Sequence, residues 1–314
     1  MIYNLYILLY IILMIVSFLF FLLKLLLLYL IVKISFVIYR KFIRKPYDLL
    51  KRYGEKSYVI VTGATDGIGK EFCNQFAKLG FNLILVSRNI EKLKKVSEEF
   101  KVKYSIDAKY IEFDFTKKTT MNDYISSFER NEDINNIDIS VLINNIGISQ
   151  RELYSKYTLQ QVADSINVNV VANSYLTHIF LNRFLQRKKQ CAIISMSSYS
   201  GTMPLMLSSM YCSTKIFDDF LIRSIAAENK GKKIDFLSVR PLYVDTPSRA
   251  GHKKEFSPIS SEQCVMGVMQ DLGYDTVTNG HWRHCLQAVI FDLAPVQVKN
   301  FFRYMGSRNK FKED

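Results

Sequence analysis

Two kinds of hydrophobic pattern divide the chain. From Leu5 to Leu23 no position is charged and nearly all are apolar; these 19 residues as a helix span about 29 Å, close to the ~30 Å hydrocarbon core of a bilayer. Lys24 interrupts the run, and Leu25–Val32 and Ile34–Tyr39 continue it around Lys33, which leaves a second, weaker crossing open. From Ser57 onward, short β-branched runs alternate with longer amphipathic stretches. "YVIVTG", "NLILVS", "AKYIEF", "ISVLIN", "CAIISM" and "KIDFLSV" read as strands, each separated from the next by enough chain for a crossover helix. That alternation predicts an α/β fold, a doubly wound parallel sheet behind an N-terminal transmembrane anchor. No repeat or low-complexity linker divides the later part. The organisation expected is therefore a membrane anchor and basic collar over 1–46 and one catalytic domain over 47–314.

Charge sharpens the first segment. The formal net charge is +13, and Lys24 to Lys45 hold six Lys or Arg and no acid. A basic collar beside a span marks the cytoplasmic side and attracts anionic lipid, and no nucleic-acid motif accompanies it. A cleaved signal peptide fits badly: no basic residue precedes the run, the run exceeds a usual apolar region, and no small-x-small site follows. The five cysteines lack disulfide or metal spacing, which suits a reduced, cytosol-facing domain. His178, His252, His281 and His284 likewise lack metal-ligand spacing, and no metal site is expected.

Candidate chemistry begins where the first strand ends in "TGATDGIGKEF". Gly63, Gly67 and Gly69 between a buried strand and a helix permit a tight turn, close approach of a pyrophosphate, and N–H groups facing phosphate. The second strand ends "LVSRN": Ser87 stands where an acid would hold a ribose hydroxyl, and Arg88 follows. Arg88 can pair with a 2′-phosphate, favouring NADP, or is simply a solvated loop residue. Further on, "SSYSGTMPLMLSSMYCSTK" sets Tyr211 and Lys215 one helical turn apart, with Ser198 thirteen residues ahead of the tyrosine. A cation beside a phenol favours the phenolate and suits acid–base work, although a Tyr-x-x-x-Lys pair alone also occurs on solvated helices.

Taken together, these residues resemble the short-chain dehydrogenase/reductase family over roughly Ser57 to Met305. "TGATDGIG" is similar to its cofactor loop, "NNIG" (Asn144–Gly147) to its NNAG element, "SMSS" and "YCSTK" to its Ser and Tyr/Lys elements, and "RPLYVDT" to its nicotinamide-contacting segment. The resemblance implies a Rossmann-type fold and hydride transfer. Ser198 would hydrogen-bond the substrate carbonyl, Tyr211 would give or take the proton, and Lys215 would lower the tyrosine pKa and hold the nicotinamide ribose. Asn169, in "NVN", would keep a water linking the lysine to solvent. The cofactor contacts it implies are Gly63, Thr65, Asp66, Gly67, Ile68, Gly69, Arg88, Asp114, Asn145, Gly147, Val244 and Thr246, together with Tyr211 and Lys215. Ile146 in place of alanine and Leu242 in place of glycine depart from the pattern and crowd the backbone near the cofactor.

Within the family, the anchor, the loop sequence and "TNGHW" resemble the membrane-bound very-long-chain 3-oxoacyl-CoA reductases and their 17-beta-hydroxysteroid dehydrogenase relatives. This implies NADPH-dependent reduction of a lipid ketone at the endoplasmic-reticulum membrane, in fatty-acid elongation or on a ketosteroid, as a homodimer or beside other elongation enzymes. The reading from another class is a non-catalytic dinucleotide-binding membrane scaffold. Three features stand outside the motifs. Lys253 and Lys254 lie in a loop expected to cover substrate and would meet CoA phosphates or lipid headgroups. His284–Phe302 is amphipathic and would pack on the domain, lie on the membrane, or line an acyl tunnel. Lys310 and Lys312 have the spacing of a dilysine retrieval signal, which would require a cytosolic tail.

Overall fold

The computed structural model describes residues 2–247 and 258–306. Its first element, α1 (Ile2–Ile38), is one helix of 37 residues, which at 1.5 Å per residue is about 55 Å long. It runs through Lys24 and Lys33 without a break, so the two apolar runs form a single rod and the second crossing considered from the sequence does not form as a separate helix. One lysine in a helix of leucines does not break its backbone hydrogen bonding, since lysine is itself a good helix former. Through Phe36 almost all of the described side chains of this rod are exposed, and only near its end does Val37 become buried; an apolar helix exposed in this way is the condition of one that meets lipid.

The six predicted strands all form: β1 (Tyr58–Thr62), β2 (Asn82–Ser87), β3 (Ala108–Glu112), β4 (Ile139–Asn144), β5 (Cys191–Met196) and β6 (Ile234–Val239). Two two-residue strands, β7 (Val244–Asp245) and β8 (Ile259–Ser260), pair with each other, and β9 (Val277–Thr278) closes the edge of the main sheet. The seven-stranded sheet is parallel, in the order β3-β2-β1-β4-β5-β6-β9. After α1 the helices are α2 (Leu49–Tyr53), α3 (Gly67–Lys78), α4 (Ile90–Tyr104), the short α5 (Met121–Tyr124) and α6 (Glu132–Asn135), α7 (Leu159–Ile166), α8 (Ala172–Gln186), α9 (Ser209–Glu228), α10 (Ser261–Asp271), α11 (Trp282–Leu293) and α12 (Val296–Gly306).

Strand alternation divides the core into two layers. Val59, Val61, Leu83 and Leu85 pack with Phe72 and Phe76 of α3, Phe100 of α4 and Val265 and Val268 of α10. Ile60, Ile84 and Leu142 face the other way, onto Phe180 and Phe184 of α8 and Ile222 of α9. Both faces are therefore covered, the requirement for a doubly wound Rossmann-type sheet. Chain order reverses between β1 and β4, and the crevice outside their carboxyl ends is where such a fold binds ligands.

The collar has a second use within the fold. Just after α1, Lys41 is buried and its Nζ donates to Asp271 of α10 and to Gly267 O at 3.0 Å. Arg44 Nη2 reaches Asp271 Oδ1 at 2.8 Å and Asp275 Oδ2 at 2.6 Å, and Arg40 Nη2 lies 3.2 Å from Asp271 and 3.1 Å from Asp275. Tyr47 stacks on Tyr274 with ring centroids 4.1 Å apart. Half of the six collar cations thus face protein carboxylates.

Candidate active site

The turn between β1 and α3 is shaped by backbone needs. Gly63 and Gly67 have φ of 66° and 52°, in the left-handed region. At Gly69 a side chain is excluded, because a Cβ would stand 2.2 Å from the Gly63 carbonyl oxygen. Asp66 caps α3, its side chain accepting from Gly67 N at 2.8 Å. Thr62 Oγ1 accepts from the N–H groups of Asn145 and Ile146, both at 2.9 Å, and Asn145 Nδ2 donates back to Thr62 O at 2.9 Å. This latch joins the glycine turn to the "NNIG" loop across the switch point. Thr246 lies over the turn, 3.4 Å from where a Gly67 Cβ would be, and Ile68 packs with Val244, Ile259 and Cys264. A glycine cradle at the N-terminus of a long helix is the backbone arrangement that a dinucleotide pyrophosphate needs, and these residues fit it.

At the neighbouring strand ends, Thr65 and Ser87 share a hydroxyl–hydroxyl hydrogen bond of 3.1 Å. Arg88 is exposed just beyond, with no hydrogen bond or ion pair among the described residues. Asp114, after β3, accepts from Thr116 N at 3.0 Å and from its hydroxyl at 2.8 Å. Partial burial would raise its pKa, but these bonds and the charges of Lys117 and Arg88 outweigh it and hold the carboxyl below the usual range.

The second half of the site centres on α9. Tyr211 is partly exposed, and its hydroxyl makes no hydrogen bond among the described residues. Lys215 is buried; its Nζ donates to Met196 O at 2.7 Å and to Asp218 Oδ2 at 2.8 Å. Burial works against its charge, but the Asp218 carboxylate and the nearby Tyr211 phenol outweigh that and raise its pKa. Ser198 heads the turn Tyr199–Thr202 and accepts from Ser200 N at 3.1 Å. That turn lies flat on α9: a Cβ at Gly201 would meet Ile216 N at 2.8 Å, and Ser197 Oγ donates to Lys215 O at 2.6 Å. Asn169 sits in a π-helical turn, Asn167–Val171, between α7 and α8, a distortion frequent at functional sites. Its Oδ1 accepts from Ile148 N at 2.8 Å, and its Nδ2 donates to Ile148 O and to Thr214 Oγ1, both at 2.9 Å. Gly147 borders both groups, since a Cβ there would make ordinary contacts, 3.4 Å from Lys215 Nζ and 3.5 Å from Asn169 Oδ1. Asn169, Ser198, Tyr211 and Lys215 are thus gathered around α9 at the switch-point side of the sheet. A phenol beside a buried ammonium, with a hydroxyl on the adjoining turn, can hold a carbonyl oxygen and move one proton to it.

Several residues that matter here were not singled out from the sequence. Asp218 is the counter-ion of Lys215, legible afterwards as an i, i+3 neighbour. Asp219 beside it accepts from Arg240 Nε and Nη2, both at 2.6 Å, and from Ser238 Oγ at 2.7 Å, tying α9 to β6. The departure at Leu242 is supported by His284, whose Nδ1 accepts from Leu242 N at 3.3 Å while Nε2 lies 3.2 Å from Tyr243 O. Ile146 is accommodated by packing against the core on the α8 side. The amphipathic stretch divides into α11 and α12 and packs on the domain: Tyr199 Oη donates to Asp292 at 2.6 Å, and Asn300 accepts from Met206 N at 3.1 Å. Among the described residues no group of three His, Cys, Asp or Glu is arranged to hold a metal. Lys253, Lys254, Lys310 and Lys312 lie outside the described residues.

Comparison with known proteins agrees with this geometry. The chain is 30% identical over 292 residues to the very-long-chain 3-oxoacyl-CoA reductase of Rattus norvegicus, covering 90% of this chain and 89% of the relative. It is 31% identical over 252 residues to the inactive hydroxysteroid dehydrogenase-like protein 1 of Homo sapiens, covering 79% and 74%. A solved structure of a short-chain dehydrogenase from Sphingobium yanoikuyae in complex with NADPH superposes with a TM-score of 0.62 at 25% identity, over 68% of this chain and 84% of that one. The family model of the short chain dehydrogenases matches residues 57–256, the stretch that holds the glycine turn, the "NNIG" loop and the Ser, Tyr and Lys, and the chain belongs to that family of nicotinamide-dinucleotide oxidoreductases.

Proposed function

We propose that this chain is an NADPH-dependent reductase of a lipid ketone, converting 3-oxoacyl-CoA to 3-hydroxyacyl-CoA in very-long-chain fatty-acid elongation at the endoplasmic-reticulum membrane. The observation that carries the reading is the Tyr211 phenol, open to the site and held one helical turn from the buried Lys215 ammonium. When bound, the nicotinamide supplies the hydride. Tyr211 Oη gives its proton to the substrate oxygen, Ser198 Oγ orients that oxygen, and Lys215 Nζ favours the phenolate left behind and holds the cofactor ribose. Asn169 keeps the "NNIG" loop on α9 so that Lys215 and the cofactor stay in register. Arg88, exposed and without a hydrogen bond or ion pair among the described residues, stands at the end of the second strand where a 2′-phosphate would lie, which supports NADPH over NADH.

The membrane address is supported by α1, and the collar supports a cytosolic domain. The scaffold reading gains support from the human relative named inactive. Against it stand the proton donor, its lysine and the serine, all present in this chain. The test is product analysis with purified full-length protein in detergent, NADPH and a panel of 3-oxoacyl-CoA chain lengths and steroid ketones. Turnover of long 3-oxoacyl-CoA supports the reading. Turnover of steroid ketones alone replaces the substrate, and NADPH binding without turnover of any ketone favours the scaffold.

A further inference from the structure

The pair Lys215–Asp218 is a salt bridge inside the protein, with residue exposures of 4% and 2%. An ammonium at such depth is stable only with a counter-charge, since desolvation alone drives a buried lysine toward its neutral form. Asp218 is itself fixed from several sides. Its Oδ2 accepts from Lys215 at 2.8 Å and its Oδ1 from Asn173 Nδ2 at 2.6 Å. Asn173 in turn donates to Ser195 Oγ at 2.9 Å and accepts from Asn144 Nδ2 at 2.7 Å, so α8, β4 and β5 all hold the carboxylate in place. The groups these elements turn to the pair are uncharged: Asn144, Asn173, Thr177, Ser195 and the Met196 carbonyl. On α9, Tyr211 is the titratable neighbour of the lysine, while Asp219, paired with Arg240 and Arg223, stands beside Asp218 as a like charge that adds to burial in raising the Asp218 pKa. Of three N–H groups on Nζ, two are taken by Asp218 and Met196 O, and one remains for a ligand beside Gly147.

We propose that Asp218 is a positioning residue that keeps Lys215 an ammonium in one fixed place, so that cofactor binding does not weaken as pH rises through the neutral and mildly alkaline range. The proposal rests on the reading of Lys215 as the residue that holds the cofactor ribose. Asn at position 218 keeps the shape and an acceptor but removes the charge, and burial then lets Lys215 lose its proton at lower pH.

The experiment is NADPH binding to purified full-length protein in detergent, followed by nucleotide fluorescence across pH, for wild type, Asp218→Asn, Lys215→Met and the double variant. The Kd ratio of Asp218→Asn to wild type is expected near one at low pH, then to rise by up to about tenfold per pH unit above the lysine's lowered pKa. In the Lys215→Met background, adding Asp218→Asn should leave no pH-dependent ratio. A ratio constant with pH, or a pH-dependent one that survives loss of the lysine, overturns the proposal while leaving the cofactor reading intact. If Asp218→Asn does not fold, wild type decides: Kd corrected for titration of the nucleotide should be flat from about pH 7 to about 9, and weakening that starts below about pH 9 overturns it. No NADPH binding by wild type at any pH overturns the cofactor reading and this inference together.

Discussion

His284, with none of its surface exposed, holds the backbone of Leu242 through an N–H···Nδ1 hydrogen bond of 3.3 Å. The ring must be neutral to accept this bond, with its proton on Nε2 facing Tyr243 O. Burial is the main reason its pKa falls to about 4, against an ordinary 6.5. Because the folded state binds this proton less readily than the unfolded chain, the neutral ring contributes stability above about pH 6.5, and that stability is lost as pH falls toward 4, by at most about 3 kcal/mol. Thermal unfolding of full-length wild type and His284→Gln, compared at pH 7.5 and 4.5, should show the two converging at the lower pH. A difference that stays constant would refute the assignment.

Tyr211→Phe should reduce turnover by about 10²-fold or more while NADPH binding stays near wild type. The ring keeps its packing and only the proton donor is lost. Single-turnover hydride transfer at saturating NADPH is the measurement, and a rate near wild type would remove Tyr211 from the mechanism.

Arg88→Asp should reverse cofactor preference toward NADH, since it replaces a charge-assisted partner of the 2′-phosphate with a repulsive one. The ratio of kcat/KM for the two cofactors reads this directly. Preference unchanged by the substitution would show that another residue reads the phosphate.

Asp271→Ala should destabilise the junction between anchor and domain. Asp271 accepts from Arg40, Lys41, Arg44 and Thr278, and the buried Lys41 would lose its counter-charge. Breaking such a buried pair from one side costs about 3–5 kcal/mol. Limited proteolysis should cut near Tyr39–Tyr47 faster in the variant, and unchanged cleavage would mean that the stacked Tyr47 and Tyr274 suffice to hold the junction.

The sheet was legible because five of its strands are short, largely buried apolar runs separated by enough chain for a crossover helix, the pattern of a covered parallel sheet. The edge strand Val277–Thr278 was not, since two residues carry no periodicity. The glycine turn and the Tyr and Lys pair could be read because each depends on local backbone or helical spacing. Asp219 and His284 could not, because their partners lie elsewhere in the sequence, and Asp218, although three residues from Lys215, could not because a carboxylate on a helix reads as a solvated face until the packing is known. The collar's second role was hidden for the same reason: charge alone does not show that Arg40, Lys41 and Arg44 are matched by carboxylates more than 220 residues away.

The ion-paired junction changes what kind of attachment α1 provides. A flexible linker would let the domain tumble and sample a hemisphere above its membrane. A rod about 55 Å long, bolted to α10 by charge and stacked tyrosines, acts as a lever. If the rod spans a bilayer of about 30 Å, any tilt that the lipid imposes on it would turn the domain with it. On the proposed membrane address, bilayer thickness would then become a mechanical input, setting the angle at which the mouth of the site meets the surface.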